Sequence, residues 1–237
     1  MMKRSKRYKE LKSKVEAKKY SLKEALEKVK ELASAKYDES VDISIKLNID
    51  PKKTDQLVRG ISNLPHGTGK KKKILVLTKG EKENEAKEAG ADYVGFDEYI
   101  EKIKKGWADV DVIIATPDVM SDVGKLGKIL GPKGLMPSPK VGTVTFDVSA
   151  QVKALKKGKV EFKTDKTGCI HISVGRISFD TTKLEENVLT FLEDLLAVKP
   201  SGVKGQFLKS MTLSSTIGPG IKLDEKGVLE QVRKGGL

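Results

Sequence analysis

Cys169 and His171 stand two residues apart, so an extended strand would put a thiol and an imidazole on one face. That spacing could support a thiol activated by a base. No second cysteine exists and no Cys/His spacing for zinc follows, so neither a catalytic residue nor a metal set is assigned. The other histidine, His66, has no acid/base framework beside it. Gly67-Thr-Gly69 with four following lysines has the composition of a phosphate loop. It precedes a strand, whereas a nucleotide-binding glycine loop follows one, and no Gly-x4-Gly-Lys-Ser/Thr occurs. No cofactor is expected. The rival reading is a nucleotide-dependent or RNA-modifying α/β enzyme, and the missing fingerprint and missing His/Cys/carboxylate cluster argue against it.

Signals for RNA are stronger. Residues 124–143, GKLGKILGPKGLMPSPKVGT, hold five Gly, three Pro, four Lys and no carboxylate, yet also Ile129, Leu130, Leu135 and Met136. That composition predicts a folded, irregular, basic loop of the kind that meets phosphate. The whole chain carries +13 over 237 residues, with a pI near 9.5, which favours polyanionic partners. Residues 1–20 concentrate nine Lys/Arg against two Glu, while residues 37–65 are near neutral. A basic arm, Lys3 to Lys19, on a balanced body favours nucleic acid over general supercharging. Aromatic residues make up only 5%, so stacking of single-stranded bases is not the expected main mode. Folded RNA recognised by shape and backbone fits better.

Asp165-Lys-Thr-Gly168 places a lysine and a hydroxyl at a turn, and Ser214-Ser-Thr-Ile-Gly-Pro-Gly220 runs three hydroxyls into a Gly-Pro turn. Hydroxyls contact phosphate or the ribose 2′-OH, and glycine lets a nucleic-acid backbone come close. No apolar run spans a membrane, the N-terminus has no apolar secretory region, and one cysteine excludes an internal disulfide.

The elements that must position these groups are readable in outline. Ser21-Leu-Lys-Glu24 is a capping box opening a helix with Leu22, Ala25, Leu26, Val29 and Leu32 on one face. Val41, Ile43, Ile45 and Leu47 alternate with Asp42, Ser44, Lys46 and Asn48, a half-buried strand with a wet face. A short helix is expected near 55–59 and a connection at 64–69. Between 74 and 157, strands (74–77, 93–94, 110–115) alternate with helices (81–89, 97–105, 149–157), which implies a parallel α/β sheet. Residues 160–164 and 169–173 read as a hairpin around the 165–168 turn; a helix at 181–198 and a strand at 207–215 follow. Pairing of the 41–47 and 207–215 strands would gather the polar groups on one surface. The expected fold is α/β and α+β in two domains. A discontinuous α+β RNA-binding domain, 1–66 and 159–237, carries an inserted Rossmann-like α/β domain, 67–158. Crossings near 64–70 and 156–160 would leave room for a hinge.

Seven stretches together resemble one family: SLKEALEKVKELASAKYDESVDISIKLNID, LVRGISNLPHGTGK, KEAGADYVG, ATPDVM, KLGKILGPKGLMPSPKVGTV, VEFKTDKTGCIHISVG and TIGPGIKL. The chain is similar over nearly its whole length to the large-subunit ribosomal protein L-one family, of bacterial type. The resemblance implies a non-enzymatic, cytoplasmic constituent of the large ribosomal subunit, monomeric when free. Its implied partners are large-subunit rRNA at the mobile side stalk, exit-site tRNA whose release it assists, and its own messenger RNA, which it represses. The family's RNA-facing positions fall on Glu27, Lys36, Tyr37, Ser40 and Lys46, on Asp165, Lys166, Thr167, Gly168, His171 and Ser173, and on Ser210, Thr216, Ile217 and Gly218. Tyr37 and Ile217 stand where the family usually has Phe and Met, so those two contacts are expected to differ in detail.

Overall fold

The structure is a computed structural model that describes residues 5–80, 82–203 and 205–235. In chain order the elements are α1 (Lys6–Ser13), α2 (Leu22–Leu32), β1 (Ser40–Leu47), β2 (Arg59–Asn63), β3 (Ile74–Leu77), α3 (Lys82–Glu88), β4 (Tyr93–Gly95), α4 (Asp97–Lys104) and β5 (Val112–Ala115). They continue with α5 (Met120–Lys125), α6 (Gly127–Leu130), α7 (Val148–Lys157), β6 (Lys159–Lys163), β7 (Cys169–Arg176), α8 (Thr181–Ala197), β8 (Leu208–Ser215), β9 (Ile221–Lys222) and α9 (Glu225–Gly235). The architecture is mixed α and β. Internal contacts divide it into two compact units, Met1–Gly69 with Val160–Leu237, and Lys70–Lys159.

The first unit is built on a four-stranded sheet in the order β7-β1-β8-β9, with antiparallel neighbours. In β1 the odd-numbered Val41, Ile43, Ile45 and Leu47 are buried and the even-numbered residues are half-buried. The pleat therefore makes one face of the sheet apolar and one polar. Helix α2 covers the apolar face. Its first turn is closed by the reciprocal Ser21–Glu24 capping box, and Leu22, Ala25, Leu26, Val29 and Leu32 form its buried stripe. Helix α8 joins the same core through Leu184, Val188, Phe191, Leu192 and Leu195. Its buried Asn187 donates to the carbonyls of Val174 (2.7 Å) and Gly67 (3.0 Å) and accepts from the His66 N–H, so every polar group it buries is satisfied.

Three sequence expectations change here. Residues 55–59 do not form a helix: a single 3-10 turn at Thr54–Gln56 leads into β2, which pairs with β6. The expected 160–173 hairpin does not form as a strand pair, because β6 pairs with β2 and β7 pairs with β1. The turn itself survives, closed by the Asp165 N–H to the Cys169 carbonyl at 2.8 Å. The basic segment 124–143 is not irregular throughout. Val123, Leu126 and Leu130 repeat at helical spacing and are buried, while a Cβ at Gly124 or Gly127 would meet open space. The buried stripe therefore carries α5 and α6 despite two glycines, and beyond Leu130 the segment runs through turns and coil to a single 3-10 turn at Pro139–Val141.

The second unit has a parallel three-stranded sheet, β4-β3-β5. All four residues of β3 are buried. Leu75 and Leu77 join one apolar cluster with Ile103, Val123 and Leu130, and Ile74 and Val76 join another with Val148 and Val152. Both faces are covered, which is why this strand is a continuous apolar run.

Candidate nucleic-acid interface

The pairing register lays the polar side chains of three strands out in rows. Lys46 stands opposite Ser210 on β8 and Cys169 on β7. Ser44 stands opposite Thr212 and His171, and Thr212 continues to Lys222 on β9. Asp42 stands opposite Ser214 and Ser173. The pleat turns all of these away from the apolar core. The face is rich in hydroxyls with a few cations, which suits ribose and phosphate better than an apolar ligand. Ser44 Oγ and His171 Nδ1 are 2.9 Å apart across the strands. Asp42 is the one carboxylate in the rows. Burial pushes its carboxyl above the usual range, against the opposing pull of the Ser173 hydroxyl and Arg176.

At one end of the face sits the 165–168 turn. Asp165 organises it: Oδ1 accepts from the N–H groups of Thr167 and Cys169 and from Thr167 Oγ1, at 2.7–2.8 Å. The Cys169 N–H, the Thr167 hydroxyl and the Thr167 N–H hold the Asp165 carboxyl down to about 2. Asp165 therefore stays ionised, with Oδ1 committed to the turn. The side chain of Lys166 is left exposed, and the Thr167 hydroxyl keeps its lone pairs for an outside donor. Gly168 is in the left-handed region at φ 74°, and its carbonyl accepts from the Leu47 N–H, which fastens the turn to the end of β1. Lys46 donates to the Thr167 carbonyl.

At the other end two loops meet, residues 33–39 before β1 and residues 216–220 after β8. The buried carboxylate of Glu39 accepts from the N–H groups of Ser34 (3.1 Å), Ala35 (2.9 Å) and Ile217 (3.1 Å). Burial alone would raise its pKa. The Ser215 hydroxyl beside it and these three N–H donors outweigh that and hold it below the usual glutamate value. Thr216 Oγ1 accepts from the Ser40 N–H at 3.0 Å, which leaves the hydroxyl proton to point elsewhere. Arg7 on α1 donates to Ser34 Oγ (2.7 Å) and to the Ile217 carbonyl (3.0 Å). The loops are thus tied together from beneath, and Lys36, Tyr37 and Ile217 are left outward. Tyr37 is 55% exposed and Ile217 37%, so both present apolar surface beside the Lys36 cation.

Gly218 has a reason of its own to be glycine, since an added Cβ would collide with Ser215 Oγ inside the same turn. Tolerance of an incoming RNA backbone is therefore not what the residue type alone reports. Glu27 stands apart from the other sequence-predicted positions. It lies on the exposed side of α2, lining a shallow groove with Glu24, Lys28 and Glu31. Lys3 and Arg4 of the expected basic arm lie outside the described residues; Lys6 to Lys12 fall on α1, which buries none of its residues.

Sequence reasoning overlooked Glu39 and Arg7. Glu39 had a readable signal, because it shares its odd-numbered register with Val41 and Ile43 and so points inward. Arg7 had none, since its targets are 27 and 210 residues away in the chain.

Proteins similar to this chain match it over nearly its whole length. The sequence model of the family described as "Ribosomal protein L1p/L10e family" matches residues 29–219. The chain is 55% identical over 231 residues to "Large ribosomal subunit protein uL1" of Kosmotoga olearia, covering 97% of this chain and all of that protein. It is 54% identical over 229 residues to the protein of the same name in Flavobacterium psychrophilum, covering 96% of this chain and all of that protein. It is also 55% identical over 207 residues to the one in Chlorobaculum tepidum, covering 87% of this chain and 90% of that protein.

Proposed function

The chain belongs to the Ribosomal protein L1p/L10e family, structural and non-enzymatic constituents of the large ribosomal subunit, and from that premise we propose that the polar face of its four-stranded sheet is the surface that holds large-subunit rRNA. The carrying observation is the convergence of three sequence-distant segments on that one face. The 36–46 segment, the 165–173 turn and strand, and the 210–218 strand and turn meet through the β7-β1-β8 register. Hydroxyls in rows, flanked by Lys36, Lys46 and Lys166, present donors and acceptors at fixed spacing to a folded RNA backbone. Phosphate attraction from α1 adds affinity without sequence preference.

In this reading the unit of residues 1–69 and 160–237 is a discontinuous RNA-binding domain, and residues 70–159 form an inserted Rossmann-like α/β domain that carries no cofactor. The RNA lies at the mobile side stalk of the cytoplasmic ribosome. There the protein assists release of deacylated tRNA from the exit site, and off the ribosome it is a monomer that binds its own messenger and represses its translation. Recovery of the chain in large subunits washed at high salt tests the structural role. Adding purified protein to translation of its own messenger, with an unrelated messenger as control, tests the repression. The reading expects retention on the subunit and selective inhibition of the cognate messenger; loss to the wash, or equal effects on both messengers, would count against it.

A further inference from the structure

Asp165, Cys169 and His171 each offer one donor atom, and the three atoms lie within 4.8 Å of one another. We propose that these residues form a binding site for a single thiophilic divalent cation of the Zn2+ class, with one coordination position left open. Register and turn build the cluster. Cys169 and His171 share the polar face of β7, and the left-handed Gly168 folds Asp165 back over them. Bonds of about 2.0–2.3 Å in tetrahedral zinc put donor atoms roughly 3.3–3.8 Å apart, so the set needs to close by only about 1 Å.

The orientation of each donor is already suited to the task. His171 Nε2 lies 3.7 Å from Asp165 Oδ2, too far for a hydrogen bond and near one edge of such a tetrahedron. The other ring nitrogen, Nδ1, is engaged by Ser44 Oγ at 2.9 Å. With Nδ1–H donating to Ser44, the Nε2 lone pair faces the cluster, the arrangement by which a neighbouring oxygen fixes a metal-binding imidazole. Asp165 divides its labour in the same way. Oδ1 accepts from Thr167 N–H and Cys169 N–H, the one Thr167 hydroxyl proton is shared between Oδ1 (2.7 Å) and Oδ2 (2.8 Å), and Oδ2, which has no other hydrogen-bond donor among the described residues, turns toward His171. Binding releases the Cys169 thiol proton to solvent, leaving a thiolate and a carboxylate to neutralise the dication. A sulfur ligand excludes Mg2+ and Ca2+ as the preferred ions. The fourth position faces the polar surface, open to water or an oxygen of a bound polyanion.

The experiment is a Co2+ titration of the full chain, kept reduced with a phosphine rather than a thiol. The site predicts saturation at one Co2+ per chain, with a thiolate-to-cobalt charge-transfer band and intense d–d bands, all removed by one equivalent of Zn2+. Cys169→Ala should abolish the charge-transfer band. His171→Ala and Asp165→Asn should each weaken binding at least 10-fold, and Ser44→Ala should weaken it by 10- to 100-fold. Circular dichroism of each variant checks that the sheet is intact. Absence of a saturable band in the unmodified chain would overturn the proposal. So would a band that survives unchanged in both His171→Ala and Asp165→Asn, because the thiol alone would then be gathering metal, or saturation at one Co2+ per two chains. No RNA enters the measurement, so its failure leaves the RNA-facing reading untouched.

Discussion

Replacing Glu39 should damage RNA binding without touching any group that meets RNA. Its carboxylate is buried and is the shared acceptor for the N–H groups of Ser34, Ala35 and Ile217. Glu39→Ala strands all three donors. All three bonds are only part-buried, so water replaces some of what is lost; the loss is less than three full charge-assisted bonds, and we expect a cost of about 3 kcal/mol in stability. Glu39→Gln keeps one acceptor oxygen and should cost about 1–2 kcal/mol. The 33–39 and 216–220 loops then lose their common anchor, and Lys36, Tyr37 and Thr216 lose their fixed spacing. Affinity for large-subunit rRNA should fall at least 10-fold in Glu39→Ala, which corresponds to about 1.4 kcal/mol. The slope of log K against log salt should stay as it was, because no phosphate contact is removed. Urea unfolding and an RNA titration at several salt concentrations measure both quantities. A destabilised Glu39→Ala protein that binds rRNA with unchanged affinity would refute the idea that this carboxylate preorganises the surface.

The same residue predicts a pH dependence. A carboxyl held below its usual value of 4.5 contributes stability that is complete above that pH and is lost as pH falls through its lower folded value. Asp42 is shifted the opposite way, so the wild-type minus Glu39→Gln difference in acid unfolding isolates the Glu39 part, which should shrink steadily below pH 4.5. Thr216→Val removes the acceptor for the Ser40 N–H and should weaken rRNA binding by about 1–3 kcal/mol, while Thr216→Ser keeps the hydroxyl and should stay within about 0.5 kcal/mol; equal affinities for the two would show the hydroxyl to be idle. Changing Lys6, Lys9, Lys12 and Lys14 to Gln should flatten the salt slope by about 3 and weaken cognate and unrelated RNA alike. Mutating Lys166, Thr167 and Thr216 together should weaken cognate RNA far more than unrelated RNA. The reverse pattern would move recognition onto the arm.

Elements governed by local rules were legible in the sequence. The Ser21–Glu24 capping box, the alternation in β1 and the all-apolar β3 each carry their cause within a few residues. The β1–β8 pairing that assembles the polar face could be posed from sequence as a condition, and the register meets it. What escaped depends on distant partners. Arg59–Asn63 has little alternation of its own and becomes β2 because it pairs with β6 about a hundred residues on. The 165–168 turn is a true local signal, yet the strands beside it are claimed by β2 and β1, which a hairpin reading has no means to foresee. In α5 and α6 the glycine count hid a buried stripe, because backbone breakers yield when tertiary burial outweighs propensity. Asp165 was legible as a turn residue. Its placement against Cys169 and His171 follows only once the turn folds back over the strand.

The central claim places the RNA on the polar sheet face, and amide hydrogen exchange of the full chain, free and bound to large-subunit rRNA, tests it most directly. The account predicts new protection at 34–40, at 165–168 and at 216–220, where amides are least shielded by the sheet, with no change across 70–159. Protection confined to 124–143, the Gly-, Pro- and Lys-rich stretch of the other unit, would contradict it.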